Sequence, residues 1–224
     1  MSTHLQHQSS AKSNDAKNNI LAKLKKQVAG ADYTKLPEEN NYQYPELTEQ
    51  EQVTQFVSLL EANHAQVIKL EQQNIASVIS QELKTRNIST LLCGKETSYS
   101  TQIEAIDSSI NTQVYDFELT GAQTNKDKLF NDIPASITGS HSAIAATGSI
   151  VLWPTIAEPR ALSLVPPVHF VIVDAKTIHS SFAQLIKTQQ WQDKLPTNVV
   201  LISGPSKTAD IQQTLAYGAH GPKE

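Results

Sequence analysis

Strand-like and helix-like segments alternate along most of the chain, and their order limits the folds that the sequence can adopt. Residues 65–70 are typical of a strand, the spacing of Ile75, Ile79 and Leu83 predicts a helix, and residues 88–93 are typical of the next strand. Further strands are predicted at 112–117, 168–173 and 198–202, and further helices at 126–131, 178–189 and 209–216. Because strand–helix–strand order favours parallel pairing, we predict an α/β fold with a mostly parallel sheet flanked by helices.

The polar N-terminal end differs in composition from the rest of the chain. We expect residues 1–46 to contain a disordered leader, an amphipathic helix over 15–28 and a linker, and residues 47–224 to form one domain. Thr48 and Glu51 form a capping box at the start of that domain's first helix. The amphipathic helix either packs on its own domain or serves as a basic arm for a partner. Its apolar residues are Ile20, Leu21, Leu24 and Val28, and its lysines include Lys23, Lys25 and Lys26.

Charge, hydropathy and cysteine count restrict the partners and compartment of the chain. The formal net charge is −4 and the pI is about 6.0, which argues against a general nucleic-acid surface. No apolar run of about twenty residues is present, so we expect no membrane span, and the polar N-terminus indicates a cytoplasmic protein. Cys93 is the one cysteine, so this chain alone holds no iron–sulfur cluster. Its place at the end of an apolar run favours a buried hydrophobic role over a redox thiol.

Four blocks in the last third of the chain place small polar residues at the ends of apolar runs: 144–152, 160–169, 202–210 and 217–222. In order and spacing they resemble the LutC/YkgG family of lactate-utilisation proteins, also called the LUD domain. The resemblance implies the sheet type shared by sugar-phosphate isomerases, CoA transferases and formyltetrahydrofolate cyclo-ligases. It also implies a component of an L-lactate oxidation system that yields pyruvate and acts with separate iron–sulfur subunits. Family members usually carry a further strand-like run after the His-Gly-Pro motif, which this sequence lacks, so we expect an uncovered sheet edge.

Strand ends in such a sheet gather ligands, so the small polar residues of these blocks form the candidate binding site. A tight turn and a predicted helix start over residues 203–210 would offer amides and hydroxyls to a small carboxylate or phosphate, with Arg160 as its charge partner. The candidate ligand-binding residues are Thr147, Gly148, Ser149, Arg160, Ser203, Gly204, Ser206, Lys207, Thr208 and His220.

The sequence leaves a structural alternative open for these candidates. Gly148 also suits a plain hairpin turn, a hydroxyl near Ser206 also suits a helix cap, and Arg160 also suits a surface ion pair with Glu158. His169 is more typical of a hydrogen-bonded structural histidine than of a base. The sequence contains no nucleophile elbow, dinucleotide glycine fingerprint or paired metal ligands, and the four blocks contain no glutamate to match the nucleophile of CoA transferases. No residue is therefore assigned a catalytic role.

Three functions are compatible with this pattern. The first is a LutC-like component that contributes an anion or substrate pocket, or an assembly surface. The second is a stand-alone transferase or ligase-like enzyme for a phosphorylated or carboxylated metabolite, and the third is a non-catalytic metabolite sensor. Copurification with a cysteine-rich partner favours the first, turnover by the isolated chain favours the second, and binding without turnover or partner favours the third.

Overall fold

The computed structural model describes residues 4–31, 45–115, 123–209, 215–218 and 220–224. The chain divides into two units, residues 1–43 and residues 44–224. Most of the expected linker, and the last two residues of the strand expected at 112–117, lie outside the described residues.

The described part of the first unit consists mainly of one helix, α1 (His4–Gln27). It begins at His4 and not at the predicted residue 15, because residues 4–14 contain neither glycine nor proline to interrupt a helix. Its apolar side is open to solvent: Ile20 is 59% exposed and Leu24 is 51% exposed. A helix with this much exposed apolar surface has a face on which a partner can pack.

The second unit contains the remaining elements. Its helices are α2 (Glu49–Ala62), α3 (Ile75–Thr85), α4 (Ser100–Glu104), α5 (Gln123–Asn131), α6 (Ala161–Leu164) and α7 (Phe182–Thr188). Its strands are β1 (Thr90–Cys93), β2 (Asn111–Val114), β3 (Ala135–Gly139), β4 (Ser142–Ile144), β5 (Ser149–Leu152), β6 (Val168–Ile172), β7 (Ile178–His179), β8 (Val200–Ile202), β9 (Lys207–Ala209) and β10 (Leu215–Tyr217). In the described residues they form two four-stranded sheets and one two-stranded hairpin.

The first sheet is parallel throughout and has the strand order β2-β1-β3-β6. Side chains of a strand alternate between the two faces, and β1 follows this rule. Leu91 and Cys93 pack with residues of α3 and α4 on one face, whereas Leu92 packs with α5 and α6 on the other. The predicted parallel sheet with helices on both faces is therefore confirmed.

The second sheet is mixed and has the order β7-β4-β5-β8. β4 and β5 form an antiparallel hairpin, β7 pairs with β4 in parallel, and β8 pairs with β5 antiparallel. Phe56 and Leu60 of α2 cover one face of this sheet, and Leu185 of α7 packs on the other. The predicted capping box is present at the start of α2, where Thr48 accepts from the Glu51 amide and the Glu51 carboxylate accepts from the Thr48 amide.

Two sequence predictions are wrong at the level of secondary structure. Residues 65–70 form no strand, although half-buried Ala65 and Val67 do face the cluster under α2, because their backbone finds no strand to pair with among the described residues. At the two ends of the helix predicted over 209–216 the structure has strands, because Ala209 belongs to β9, Leu215 and Ala216 belong to β10, and the two strands pair antiparallel; residues 210–214 lie outside the described residues. The apolar spacing in this segment resembled a helix, but pairing with a neighbouring strand outweighed that local pattern.

Cys93 lies at the end of β1 and is 3% exposed. Burial, with a smaller contribution from the charge of Glu158, raises the pKa of its thiol to about 11. The thiol is therefore protonated at neutral pH, as expected for a buried hydrophobic residue.

None of the described helices is both long and apolar enough to cross a lipid bilayer.

Candidate functional site

A cavity of about 290 Å³ opens at the carboxyl end of the parallel sheet. The end of β3 and the segment that follows β5, residues 152–160, line it. In a parallel sheet the carboxyl ends of the strands meet at one edge, which is where open α/β folds bind ligands. The polar part of the lining is formed by Thr138, Ser140, His141, Thr155, Glu158, Arg160 and Ser163.

Two glycines let the segment after β5 lie directly on the strand ends. The Lys95 amide donates to the Ala157 carbonyl over 2.8 Å, and the Gly139 amide donates to Glu158 Oε1 over 3.0 Å. A Cβ atom on Gly94 would stand 2.5 Å from Glu158 Cγ and 2.6 Å from the Ala157 oxygen. Any larger residue at position 94 would push this segment away. Glu158 is thus held at the edge of the sheet by backbone contacts.

Glu158 and Arg160 bring opposite charges to the cavity without pairing. Burial raises the pKa of Glu158, and the hydrogen bond from the Gly139 amide opposes that rise in part. Arg160 is exposed, and among the described residues its guanidinium has neither a hydrogen-bond partner nor an ion-pair partner. The alternative of a surface ion pair between these two residues is therefore not what the structure contains. An unpaired guanidinium at the wall of a cavity can bind a carboxylate through two parallel hydrogen bonds.

Aromatic residues form another wall of the cavity and fix one histidine. The centroids of the His141 and Trp153 rings lie 4.2 Å apart, and both residues line the cavity. Gln189 Oε1 lies 2.9 Å from Trp191 Nε1 and 2.8 Å from His141 Nε2. Because an indole nitrogen can only donate, this oxygen is the acceptor in both contacts, so His141 Nε2 carries a proton. In neutral His141, Nδ1 is then a hydrogen-bond acceptor.

Ser140 adds an unsatisfied group to the cavity. Its Oγ is buried and has no hydrogen-bond partner among the described residues. A buried hydroxyl without a partner costs about 1 to 3 kcal/mol. The hydroxyl has almost no accessible surface, so a ligand in the cavity does not reach it in this structure.

The turn at Thr147, Gly148 and Ser149 and the turn that begins at Ser203 are brought together, as their family blocks suggested. The Thr147, Ser149 and Ser203 hydroxyls form a chain of hydrogen bonds, each 2.8 Å long. Gly148 has a φ of +59°, and a Cβ on it would stand 2.5 Å from Leu59 Cβ. The geometry gives this glycine the role of a hairpin turn packed against α2.

Gly204 makes a similar approach to the end of α2. Its φ is +132°, and a Cβ on it would stand 2.8 Å from the Asn63 carbonyl oxygen. Both glycines therefore allow close packing with the helix. Ligand binding at this pair of turns remains a prediction.

The anion site predicted at Ser206 relied on a helix start that the structure does not have at this position. No helix starts there, because Lys207 and Thr208 belong to β9. The Ser206 amide donates to the Pro222 carbonyl over 2.9 Å, and the Ser206 carbonyl accepts from the Gly218 amide over 3.0 Å. The Ser206 amide is thus not available to an anion. His220 lies in the segment between these two contacts and is exposed, as is Lys207.

Arg160 and the serine turns do not line the same cavity. Leu152 and Trp153, at the far end of β5, line the cavity with Arg160, whereas Ser149 at the near end contacts Ser203. At about 3.4 Å per residue the two ends of β5 are about 10 Å apart. The sequence therefore identified one residue of the cavity, Arg160, and missed Glu158, Ser140 and His141. A signal existed for Ser140 and His141, because both directly follow the buried strand β3.

His169 makes the structural hydrogen bond that was expected of it. Its Nε2 lies 2.9 Å from the Thr138 hydroxyl, and burial lowers its pKa to about 4. The ring is therefore neutral at pH 7. Through Thr138, it supports the end of β3 that lines the cavity.

Comparison with known proteins identifies relatives along nearly the whole second unit. A family model described as the LUD domain matches residues 53–224. An uncharacterized protein of Neisseria meningitidis serogroup B is 35% identical over 218 residues, which cover 93% of this chain and 91% of that protein. Lactate utilization protein C 1 of Bacillus mycoides is 27% identical over 79% of this chain and 77% of its own length. The crystal structure of a DUF162 family protein from Deinococcus radiodurans shares the fold, with a TM-score of 0.60 and 18% identity over 79% of this chain and 94% of that chain.

Proposed function

The chain belongs to the LUD domain family, and from this membership we propose that it is a LutC-type component of a system that oxidises L-lactate to pyruvate. Its similarity to lactate utilization protein C of Bacillus mycoides, which extends over most of both chains, supports this function. One structural observation carries the assignment of a substrate or anion pocket to this chain. The cavity at the strand ends holds a guanidinium, Arg160, that has no partner among the described residues, beside a half-buried carboxylate, Glu158.

In this proposal the redox centres lie on separate iron–sulfur subunits. An iron–sulfur cluster usually needs four thiolate ligands, and this sequence contains one cysteine, which is buried and protonated. The chain binds the small carboxylate or helps to assemble the complex, and its partners carry the electrons. The system would act in the cytoplasm, where its cluster-containing subunits are protected.

The test is genetic and biochemical. Deleting the gene should impair growth on L-lactate and spare growth on pyruvate, because only growth on L-lactate requires its oxidation to pyruvate. The purified chain should be colourless and should not oxidise lactate with an artificial acceptor, whereas cysteine-rich subunits should copurify with it from cells grown on lactate. Normal growth of the deletion strain on L-lactate, with no duplicate gene present, would rule out the pathway.

A second function is favoured by the position of one residue. Glu158 places a carboxylate at the carboxyl edge of the sheet, although no glutamate was expected there. CoA transferases on the related fold use a glutamate nucleophile, so a stand-alone transferase is the alternative. Turnover of an acyl donor by the isolated chain, lost in Glu158→Gln, would favour it over the lactate system.

A further inference from the structure

The cavity contains two opposite charges that are close in sequence and stay apart. Glu158 and Arg160 both line it, yet the guanidinium has no ion-pair partner among the described residues. Glu158 is held at one oxygen only, where Oε1 accepts from the Gly139 amide. The structure gives Oε2 no donor among the described groups. The cavity thus has a free cation for an anionic group and a free carboxylate oxygen for a hydrogen-bond donor.

A ligand that satisfies both groups carries an anionic group for Arg160 and a hydrogen-bond donor for Glu158, and the proposed role in lactate utilisation selects a carboxylate and a hydroxyl. A carboxylate meets the planar fork of Arg160 in two parallel hydrogen bonds. A carboxylate oxygen such as Glu158 Oε2 repels a second anion but accepts from a hydroxyl. The cavity, at about 290 Å³, lies at the small end of the range for ligand sites, which suits a small metabolite.

We infer that this cavity binds a 2-hydroxycarboxylate, with Arg160 on the carboxylate and Glu158 accepting from the hydroxyl. The inference rests on the proposed role in lactate utilisation and identifies its binding site and its basis of selectivity. Arg160 provides affinity for carboxylates in general. Glu158 provides selection, because a carboxylate without the hydroxyl leaves the Glu158 oxygen unsatisfied. The serine turns near Ser206 take no part in this site.

Titration calorimetry of the full chain with L-lactate and with propionate, which lacks the hydroxyl, tests the inference. The loss of one hydrogen bond to a charged group predicts about ten- to hundredfold weaker binding of propionate. Inorganic phosphate carries more negative charge than lactate at neutral pH, so Glu158 should repel it more and it should bind more weakly than lactate. The chain's two tryptophans, Trp153 and Trp191, lie in or beside the cavity wall, so their fluorescence should change as lactate saturates the site.

Variants separate the two roles. Arg160→Gln should weaken lactate and propionate binding alike, by about ten- to hundredfold. Glu158→Gln should lower the preference for lactate over propionate towards one. Lys176→Gln, which removes an exposed lysine outside the cavity, should bind as the wild type does.

Three results would overturn the inference. They are equal binding of lactate and propionate by the wild type, unchanged binding by Arg160→Gln, and no saturable binding of lactate by the folded chain. The comparison of ligands needs no variant, so it holds even if a substitution disturbs folding. If the deletion strain fails on L-lactate and yet lactate does not bind, the proposed function stands and this site is wrong.

Discussion

Glu158 and Arg160 lie on either side of one residue, Pro159, and line the same cavity without forming an ion pair. Pro159 is buried, and its ring fixes the backbone φ near −65°. The Gly139 amide holds the glutamate at the sheet edge, which leaves the arginine exposed. At the scale of single residues, a backbone amide and not Arg160 is the hydrogen-bond partner of the Glu158 carboxylate. This arrangement also explains why a surface pair was a reasonable but incorrect alternative.

His169 gives a prediction for the pH dependence of stability. Its pKa is about 4 in the folded chain, against an ordinary value of 6.5. As the pH falls from 6.5 towards 4, the unfolded chain takes up a proton that the folded chain does not, so stability is lost over this range. The loss is at most about 3 kcal/mol.

Urea unfolding at a series of pH values measures this effect. His169→Gln should remove the slope that this histidine contributes, so the difference from the wild type should shrink as the pH falls from 6.5 to 4. His220→Gln, at an exposed histidine, should leave the profile unchanged. A wild-type slope that persists in His169→Gln would show that other groups produce it.

Sequence reasoning found Arg160 because it lies in a family block, and it missed Glu158 because that residue lies just outside one. The burial of Glu158 depends on Gly94 and Gly139, which are far away in the sequence. A contact of that kind leaves no periodic pattern around the glutamate itself. The hydrogen bond of His169 was predictable because a polar residue near the start of an apolar strand usually has a hydrogen-bond partner.

At the scale of elements, a capping motif within one helical turn was predicted correctly from the sequence, whereas the pairing of β9 with β10 was not. The capping box at Thr48 acts within one turn of α2, so its four residues were enough to predict it. The segment from 209 to 216 had helical spacing, but β9 and β10 pair with each other instead. That pairing, together with the bonds between Ser206 and Pro222, depends on residues that are separated in the sequence. The loss of the helix removed the physical reason for an anion at Ser206.

The helix α1 leads to a prediction about assembly. Its apolar residues Ile20 and Leu24 are more than half exposed, and Lys25 and Lys26 lie in its last turn. Deleting residues 1–30 should therefore leave the melting temperature of the remaining chain close to that of the wild type. It should weaken the pull-down of the iron–sulfur subunits in a salt-sensitive way, because screened charges contribute to that contact.

A full-length control separates charge from apolar contact. Replacing Lys23, Lys25 and Lys26 by glutamine should reduce the salt sensitivity of the pull-down and keep the helix. If deletion of residues 1–30 instead lowers the melting temperature strongly, the helix stabilises the fold and is not an arm for a partner.

At the scale of the whole molecule, both four-stranded sheets form apolar cores with helices, and the polar groups of the cavity lie at the end of the parallel sheet. Each is covered by helices on both faces, and the polar groups collect where the parallel sheet ends and the segment after β5 crosses it. The fold class was predictable because strand-like and helix-like segments alternate in the sequence. The position of the cavity was predictable only as a sheet edge, since the segment that completes it carries no regular structure between β5 and α6.

Growth of a deletion strain on L-lactate, restored by plasmid-borne variants, tests most directly whether this cavity serves lactate utilisation. Wild-type protein and Lys176→Gln should restore growth, whereas Arg160→Gln and Glu158→Gln should fail to do so at equal protein abundance. All four strains should grow alike on pyruvate. Full growth on L-lactate with Arg160→Gln and Glu158→Gln, at wild-type abundance, would contradict the account, because the cavity would then have no part in the function of the chain.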